Sequence, residues 1–595
     1  MSNDQEIGKP IRVRTGANDT ERAWPGPTTV PALVQAAATR APSAIAVVTE
    51  RDSTTYGMLM ARAAGVRDEL TSAGVRPGEI VAVMGDRDVE TAAALLGVWA
   101  AGAAFVPLDP AYPAPRIGFE IEDSACRFVL STTYVDSCAW LGDRTLLSMP
   151  GPGDAATLSF PDPAATACVV YTSGSSANPL GVVLDHRNLH NTVCHFSEVL
   201  KLAPGDGTAW LFDLSRFELW LALTTGGRAL AASDDMQAQP ERLVDFLDGH
   251  DVSAVRYTST GWRRIGPFVR RLPPATRLLC GGEPMPSAVA RELVASGRTV
   301  FNAYSPAETT IYSTCGLLTD PEAITAGLPI ANTNVHVLDE QMRELASGDV
   351  GEVWIAGHGV APGYLNRPEQ TAERFIEHPE WGRLYRSGDL GRWAADGTLD
   401  IVGRRDRQVR LGGRLVELNQ IETVVEEHMA VRSAAVVASP GPDGQHLVGF
   451  VVAEEEPGLA RRLWRHVADR LPPFAVPTRF EVLKALPVTA DGATDYAALA
   501  AMGAARPEYR HLELRAELQA LFDAAVPGRD SIGADENFFE AGFTSARLVE
   551  LLPLLQLFIP KLGLIDVFRH PTVRALAASV VKDPPDLPWR TRADR

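Results

Sequence analysis

Tyr171-Thr172-Ser173-Gly174-Ser175-Ser176-Ala177-Asn178-Pro179-Leu180-Gly181-Val182 follows directly on the apolar run Cys168-Val169-Val170. A short apolar run closed by a Ser/Gly-rich turn reads as a buried strand entering a loop. The loop leads towards a helical pattern that begins near His186. Hydroxyls at Thr172, Ser173, Ser175 and Ser176, with Gly174 among them, suit the convergence of side-chain and backbone donors on an anion. The far end lacks the matching cation, because Leu180 occupies a position that should be charged.

The same alternation extends outward from this loop. Ile45–Thr49, Ile80–Met84, Ala104–Val106 and Cys168–Tyr171 read as buried strands. Ala32–Ala41, Tyr56–Ala73, Asp88–Ala101 and His186–Leu202 read as helices. Strands alternating with helical segments of this length predict an α/β architecture. The expected organisation is a loose polar leader over 1–25, a large α/β subdomain over 26–402 and a small α+β subdomain over 403–500. In the small subdomain Ala434–Ala438 and Leu447–Val452 read as strands and Gly458–Arg470 as a helix. A linker over 501–511 then leads to an all-α domain over 512–583, with a tail over 584–595. Its helical segments are His511–Ala525, Ser545–Leu557 and Thr572–Val581, with a short turn near Leu564–Phe568.

A chain of 595 residues holds three or more units at about 100–200 residues per domain. The net charge of −18 argues against bulk nucleic-acid or anionic-membrane binding. Met1-Ser2-Asn3-Asp4-Gln5-Glu6 has no basic n-region, and no apolar run is long enough to span a bilayer, so a cytoplasmic protein is expected. Cysteines 126, 138, 168, 194, 280 and 315 form no CxxC pair. They read as small buried residues in a reduced setting, with no metal site of their own.

Further motifs follow the loop in order: Phe212-Asp213-Leu214-Ser215, Gly281-Gly282-Glu283-Pro284, Asn302-Ala303-Tyr304-Ser305-Pro306-Ala307-Glu308, Gly351–Phe375, Tyr385-Arg386-Ser387-Gly388-Asp389 and Gly403-Arg404-Arg405-Asp406. This ordered set, over about 28 to 500, resembles the adenylation domains of nonribosomal peptide synthetases, within the adenylate-forming superfamily. The resemblance implies an ATP-dependent amino-acid adenylating enzyme. A carboxylate attacks the α-phosphate of Mg-ATP, and a carrier thiol then takes the acyl group. It places Thr172, Ser173, Gly174, Ser175, Gly282, Glu283, Tyr304, Asp389 and Arg404 at the nucleotide. Tyr304 would stack on adenine, and Gly281–Pro284 would line the adenine slot. Asp389 would accept from the ribose hydroxyls with Arg404 nearby, and Glu308 would hold Mg²⁺. Asp213 would pair with the substrate ammonium, Asp406 would be the hinge, and Leu214, Phe217, Arg256, Leu279, Gly281, Ala303, Ile311 and Tyr312 would line the side-chain pocket. A buried Arg256 wants an anionic partner, either an acidic substrate side chain or a protein carboxylate.

The departures from the family pattern cluster. Its phosphate loop ends Thr-Gly-x-Pro-Lys-Gly, where this chain has Ser176-Ala177-Asn178-Pro179-Leu180-Gly181. A methyl at Ala177 restricts positive φ and close approach of the backbone. Ala307 replaces a threonine hydroxyl, and Ala493 stands where the family inserts a lysine between carboxylate and nucleotide. Losing one preorganised transition-state donor costs roughly 10²–10³ in rate. The expected reading is a domain that keeps its fold and has given up much of its phosphate and carboxylate chemistry. ATP and Mg²⁺ are then cofactors only if adenylation is retained. The alternative is an active stand-alone didomain that adenylates an amino acid and loads its own carrier.

The helical tail carries Asn537-Phe538-Phe539-Glu540-Ala541-Gly542-Phe543-Thr544-Ser545-Ala546. Gly542 suits a tight turn, Ser545 would begin a helix, and a helix N-terminus favours a phosphate. Phe538 and Phe539, with Leu548, Leu551 and Leu552, are expected to supply a small core. The segment resembles a four-helix peptidyl carrier domain, and Ser545 matches the serine that receives 4′-phosphopantetheine. The implied partners are a phosphopantetheinyl transferase, a separate adenylating or acyl-loading enzyme acting in trans, downstream condensation or tailoring enzymes, and a small accessory protein of the kind such domains recruit. Natural-product assembly, antibiotics among its products, is the implied setting.

Overall fold

Two largely parallel sheets realise the strand and helix alternation. The computed structural model describes residues 16–579 except 111, 134–139, 156–157, 173–178, 212–215, 305, 406–407, 412–413, 442–443, 454–458, 488–493, 505–517, 520, 524, 527–530 and 557–561. The chain divides into two compact units, Met1–Tyr496 and Ala497–Arg595.

In the first unit a seven-stranded sheet runs in the order Gly363–Tyr364, Leu180–Asp185, Thr166–Thr172, Ala104–Leu108, Ile80–Met84, Phe128–Ser131, Thr145–Ser148. Ala104–Leu108 is buried along its whole length, which explains its unbroken apolar sequence. A nine-stranded sheet has a parallel centre of Thr299–Tyr304, Arg277–Gly281, Val252–Tyr257, Gly207–Trp210, Arg228–Ala231 and Ile45–Val48. Helices Tyr56–Ser72 and Val89–Ala100 pack together beside these sheets. A Cβ at Gly97 would lie 2.5 Å from the Val66 side chain, so this crossing requires glycine. The Asp88 carboxylate caps the second helix by accepting from the Thr91 amide at 2.7 Å.

A third, antiparallel sheet joins Thr333–Leu338, Gly351–Gly357, Gly382–Trp393 and Phe375–His378, with Leu399–Arg404 paired to Gly382–Trp393. Residues 16–25 are not the loose leader expected from their polarity. The Asn18 side chain donates to the Val335 carbonyl and accepts from its amide, both at 2.9 Å, and Thr20 donates to the Thr333 carbonyl at 2.8 Å. Side-chain amides satisfying a strand backbone leave no apolar pattern to read.

The small α+β part holds the hairpin Gln408–Leu411/Arg414–Glu417 and a sheet of Val431–Gly441, Gly444–Ala453 and Arg479–Leu483. Helix Leu459–Ala468 was expected; helix Leu418–Glu426 was not. Phe474 meets the large part through Tyr112, with ring centroids 6.1 Å apart, and the Arg414 guanidinium lies 4.9 Å over the Phe474 ring.

The second unit contains helices Ser545–Gln556, Leu564–Arg569 and Val573–Ser579, with further helical residues at 518–519 and 521–523. Phe522 and Phe538 stack at 4.1 Å in its core, with Leu548, Leu555, Val567 and Leu576 around them. Phe539 departs from the expected core. It is 43% exposed and stacks on Phe568 instead, because the turn before Gly542 sends adjacent side chains to opposite sides.

Candidate functional site

Strands Val252–Tyr257, Arg277–Gly281 and Thr299–Tyr304 run parallel, with Arg256 level with Leu279 and Gly281 level with Ala303. Their carboxyl ends form the edge at which open α/β sheets bind ligands. Tyr304 ends its strand buried, and its hydroxyl donates to Asp389. The other Asp389 oxygen accepts from Arg404 Nη1 at 2.6 Å, directly across the strand pair. Arg404 Nη2 also donates to Gln408 Oε1 at 2.6 Å and to the Ser387 carbonyl at 3.2 Å. Burial, reinforced by the Asp389 charge, raises the Tyr304 hydroxyl well above the usual tyrosine range. The carboxylate expected to meet ribose therefore already has a protein donor on each oxygen.

Glu308 sits in the turn Ala307–Thr309 and is buried. Its carboxylate accepts from the Tyr364 hydroxyl at 2.9 Å. Among the described residues no group of three or more His, Cys, Asp or Glu is arranged to hold a metal. Glu283 accepts from Ser259 Oγ at 3.0 Å, Thr260 Oγ1 at 3.1 Å and the Thr260 amide at 2.8 Å. It thereby stabilises the start of helix Ser259–Ile265. Gly282 before it has φ +92°, a conformation that needs glycine. Ile311, a β-branched residue at φ 73°, is strained at the same edge.

The opening loop divides differently from its sequence reading. Leu180 is not in a loop: it begins strand Leu180–Asp185 and pairs with Thr172. Thr172 Oγ1 donates to the Leu180 carbonyl at 3.4 Å. The Leu180 side chain is 7% exposed and belongs to the main apolar core with Val182 and Leu184. Ala307 packs against the same core. Ser173, Gly174, Ser175, Ala177, Asp213, Leu214, Asp406 and Ala493 lie outside the described residues.

Phe217, Leu279, Ala303, Ile311 and Tyr312 belong to one buried core, and Arg256 and Gly281 meet it at Tyr312. Arg256 Nη1 donates to Glu218 Oε1 at 2.9 Å and its Nε to the Tyr312 hydroxyl at 2.6 Å. Burial opposes the arginine charge, yet Tyr312 and Glu218 outweigh it and hold the pKa above the ordinary value. Burial pushes the Tyr312 hydroxyl up to about 12. The anionic partner of Arg256 is thus a protein carboxylate, which removes the reason to expect an acidic substrate. Glu218 was missed in the sequence. The signal was a lone carboxylate in the first turn of Phe217–Thr225, a helix whose residues Phe217 to Leu223 are all buried.

The described part of this site fits a bound ATP–Mg poorly. Leu180 packs into the apolar core and carries no charge, and Glu308 and Asp389 already accept from tyrosines. Ser545 is different. It opens helix Ser545–Gln556 and is exposed. Thr544 precedes it, its hydroxyl accepting from the Arg547 amide at 3.2 Å. Gly542 turns the chain at φ +99°. An exposed hydroxyl on a helix N-terminus fits attachment of a phosphate-linked arm.

Comparisons with known proteins find relatives for each part of the chain. The AMP-binding enzyme profile matches residues 34–365, the AMP-binding enzyme C-terminal domain 420–493, and the phosphopantetheine attachment site 513–580. A dimodular nonribosomal peptide synthase of Bacillus subtilis (strain 168) is 32% identical over 93% of the chain, which spans 24% of that protein. Malpibaldin synthetase of Mortierella alpina is 32% identical over 95% of the chain, which spans 11% of it. A four-domain nonribosomal peptide synthetase solved with AMP and glycine is 29% identical, with TM-score 0.61, over 95% of this chain and 44% of that one. The fold of an NRPS protein containing adenylation and PCP domains matches with TM-score 0.72 at 24% identity, over 95% and 97% of the two chains. No helix among the described residues is long and apolar enough to cross a membrane.

Proposed function

The chain belongs to the AMP-binding enzyme family, with that family's C-terminal domain and a phosphopantetheine attachment domain behind it, and from that premise we propose a carrier scaffold for nonribosomal peptide-type assembly. Ser545 carries 4′-phosphopantetheine, whose thiol holds an acyl or aminoacyl group as a thioester. A separate adenylating or acyl-loading enzyme supplies that group in trans. The adenylation-like part keeps its architecture and positions the carrier without activating a substrate itself.

The observation that carries this reading is Leu180. The position expected to neutralise a phosphate is a core residue of a paired strand, so no side-chain rotation restores a cation there. Ala307 and Ala493 extend the same loss to a hydroxyl and a second lysine position. On the carrier side Thr544 caps the helix, Gly542 sets the turn and Ser545 presents its hydroxyl outward. The rival reading, a didomain that loads itself, draws on the retained Asp389–Arg404 pair.

Intact-mass measurement separates the two. The protein is converted to its holo form with a phosphopantetheinyl transferase and incubated with Mg-ATP and the twenty amino acids. The expected spectrum shows the phosphopantetheine adduct alone, lost in Ser545→Ala. An added aminoacyl mass without any partner enzyme overturns the scaffold reading.

A further inference from the structure

Phe474 lies where the small α+β part meets the large one. Its segment, Leu471-Pro472-Pro473-Phe474-Ala475-Val476-Pro477, carries three prolines that restrict the backbone. The Ala475 amide donates to the Pro472 carbonyl at 2.8 Å and closes the turn Pro473–Ala475. Among the described residues Phe474 alone packs against two cores. One is that of the small part, with Leu411, Val416 and Leu471; the other belongs to the large part, with Met84, Leu108 and Tyr112. Its ring is one rung of a ladder. The Arg414 guanidinium lies 4.9 Å over it, the Tyr112 ring is 6.1 Å away, and the Arg116 guanidinium lies 5.8 Å over Tyr112. Glu120 fixes Arg116 by accepting from its Nε at 2.5 Å. We infer that Phe474 and Tyr112, each braced by its arginine, form a latch that holds the small part on the large part in one orientation without the help of a ligand.

The latch goes beyond the scaffold reading, because it concerns where the small part rests and not what Ser545 carries. The ladder crosses the junction only between Phe474 and Tyr112, since Arg414 belongs to the small part and Arg116 to the large one. A cation over each ring favours the orientation in which the two rings meet. Undocking would separate the ring pair and wet Tyr112, which is buried, so both the pair energy and the apolar burial favour the docked form. Two further contacts lie at other points of the same junction. Arg404 Nη2 donates to Gln408 Oε1 at 2.6 Å, and strand Arg414–Glu417 comes close to strand Thr166–Thr172. Contacts at three separate points fix an orientation, where one alone would leave a pivot.

The test is a spin-label distance measurement on the full chain in the absence of nucleotide. The labels ride on p-acetylphenylalanine replacing Met429 in the small part and Leu317 in the large part, both exposed, so the native cysteines are left alone. The otherwise wild-type chain is expected to give a single narrow distance. Phe474→Ala is expected to raise the population outside that peak about tenfold, the factor for losing one aromatic pair of this kind. Tyr112→Ala, which leaves the small part's core untouched, is expected to broaden the distribution likewise. A broad distribution before any latch residue is changed overturns the latch, as does an unchanged peak in Phe474→Ala. Broadening in Phe474→Ala alone overturns it too, because the ring then acts only inside the small part. If one variant does not fold, the other variant and the unaltered latch decide. The two readings fail separately: a broad distribution leaves the mass spectrum of the loading experiment as it was, and self-loading leaves a narrow distance peak standing.

Discussion

Tyr304 and Asp389, 85 residues apart, share a buried hydrogen bond in which the phenol donates to one carboxylate oxygen while Arg404 holds the other at 2.6 Å. The link ties the end of a parallel strand to the antiparallel sheet. Tyr304→Phe is expected to cost about 1–3 kcal/mol, the range for removing one donor from a buried acceptor. Combined with Asp389→Asn in a double-mutant cycle, the pair is expected to couple by about 1–3 kcal/mol in urea unfolding. Additive effects would mean that the bond contributes nothing to stability.

Leu180→Lys places an ammonium in the main core. It is expected to destabilise by about 3–5 kcal/mol, as an uncompensated buried charge does. ATP–pyrophosphate exchange is expected to stay at background. Leu180→Met, which conserves volume, is expected to cost less than about 1.5 kcal/mol. A stable, exchange-active lysine variant would show that the side chain turns towards the site.

His186 sets a pH dependence. It is fully buried against Trp99, ring centroids 5.1 Å apart, and burial pulls its pKa down from 6.5 to about 4. The folded state therefore binds fewer protons than the unfolded chain. The histidine's contribution is complete above pH 6.5 and drains away as pH falls towards 4. At pH 5 the loss is about 2 kcal/mol from this one group. Chemical denaturation at pH 7 and pH 5 is expected to show that difference shrinking in His186→Gln.

Neighbouring phenylalanines in the carrier are expected to behave oppositely. Phe538→Ala empties the stack with Phe522 and is expected to cost about 3–5 kcal/mol. Phe539→Ala removes a half-exposed contact with Phe568 and is expected to fall within about 1 kcal/mol. Thermal melting of the full chain checks both. Comparable losses would place Phe539 in the core.

The legible parts of the fold were those with a strong periodic pattern. Ile80–Met84 matches its strand residue for residue, and Tyr56–Ser72 ends one residue from its expected limit. Ser545 begins its helix as expected, after the turn at Gly542. The site was harder to read, because its decisive features are pairings between distant segments. Leu180 looks like a loop residue until its strand finds Thr172. Arg256 announces a need for an anion, but Glu218, 38 residues earlier, answers it only once helix and strand are packed together. Phe538 and Phe539 have the same side chain, and only the turn that follows tells them apart.

Asn18 has a consequence for solubility. Strand Thr333–Leu338 is the outer strand of its sheet, and such an edge offers unpaired amides and carbonyls to any passing strand. By engaging both the amide and the carbonyl of Val335, Asn18 acts as a one-residue imitation of a neighbouring strand. Thr20 does the same work at Thr333. The polar segment over 16–25 is thus a guard against intermolecular β-pairing, and trimming it exposes a template for aggregation in a domain otherwise intact.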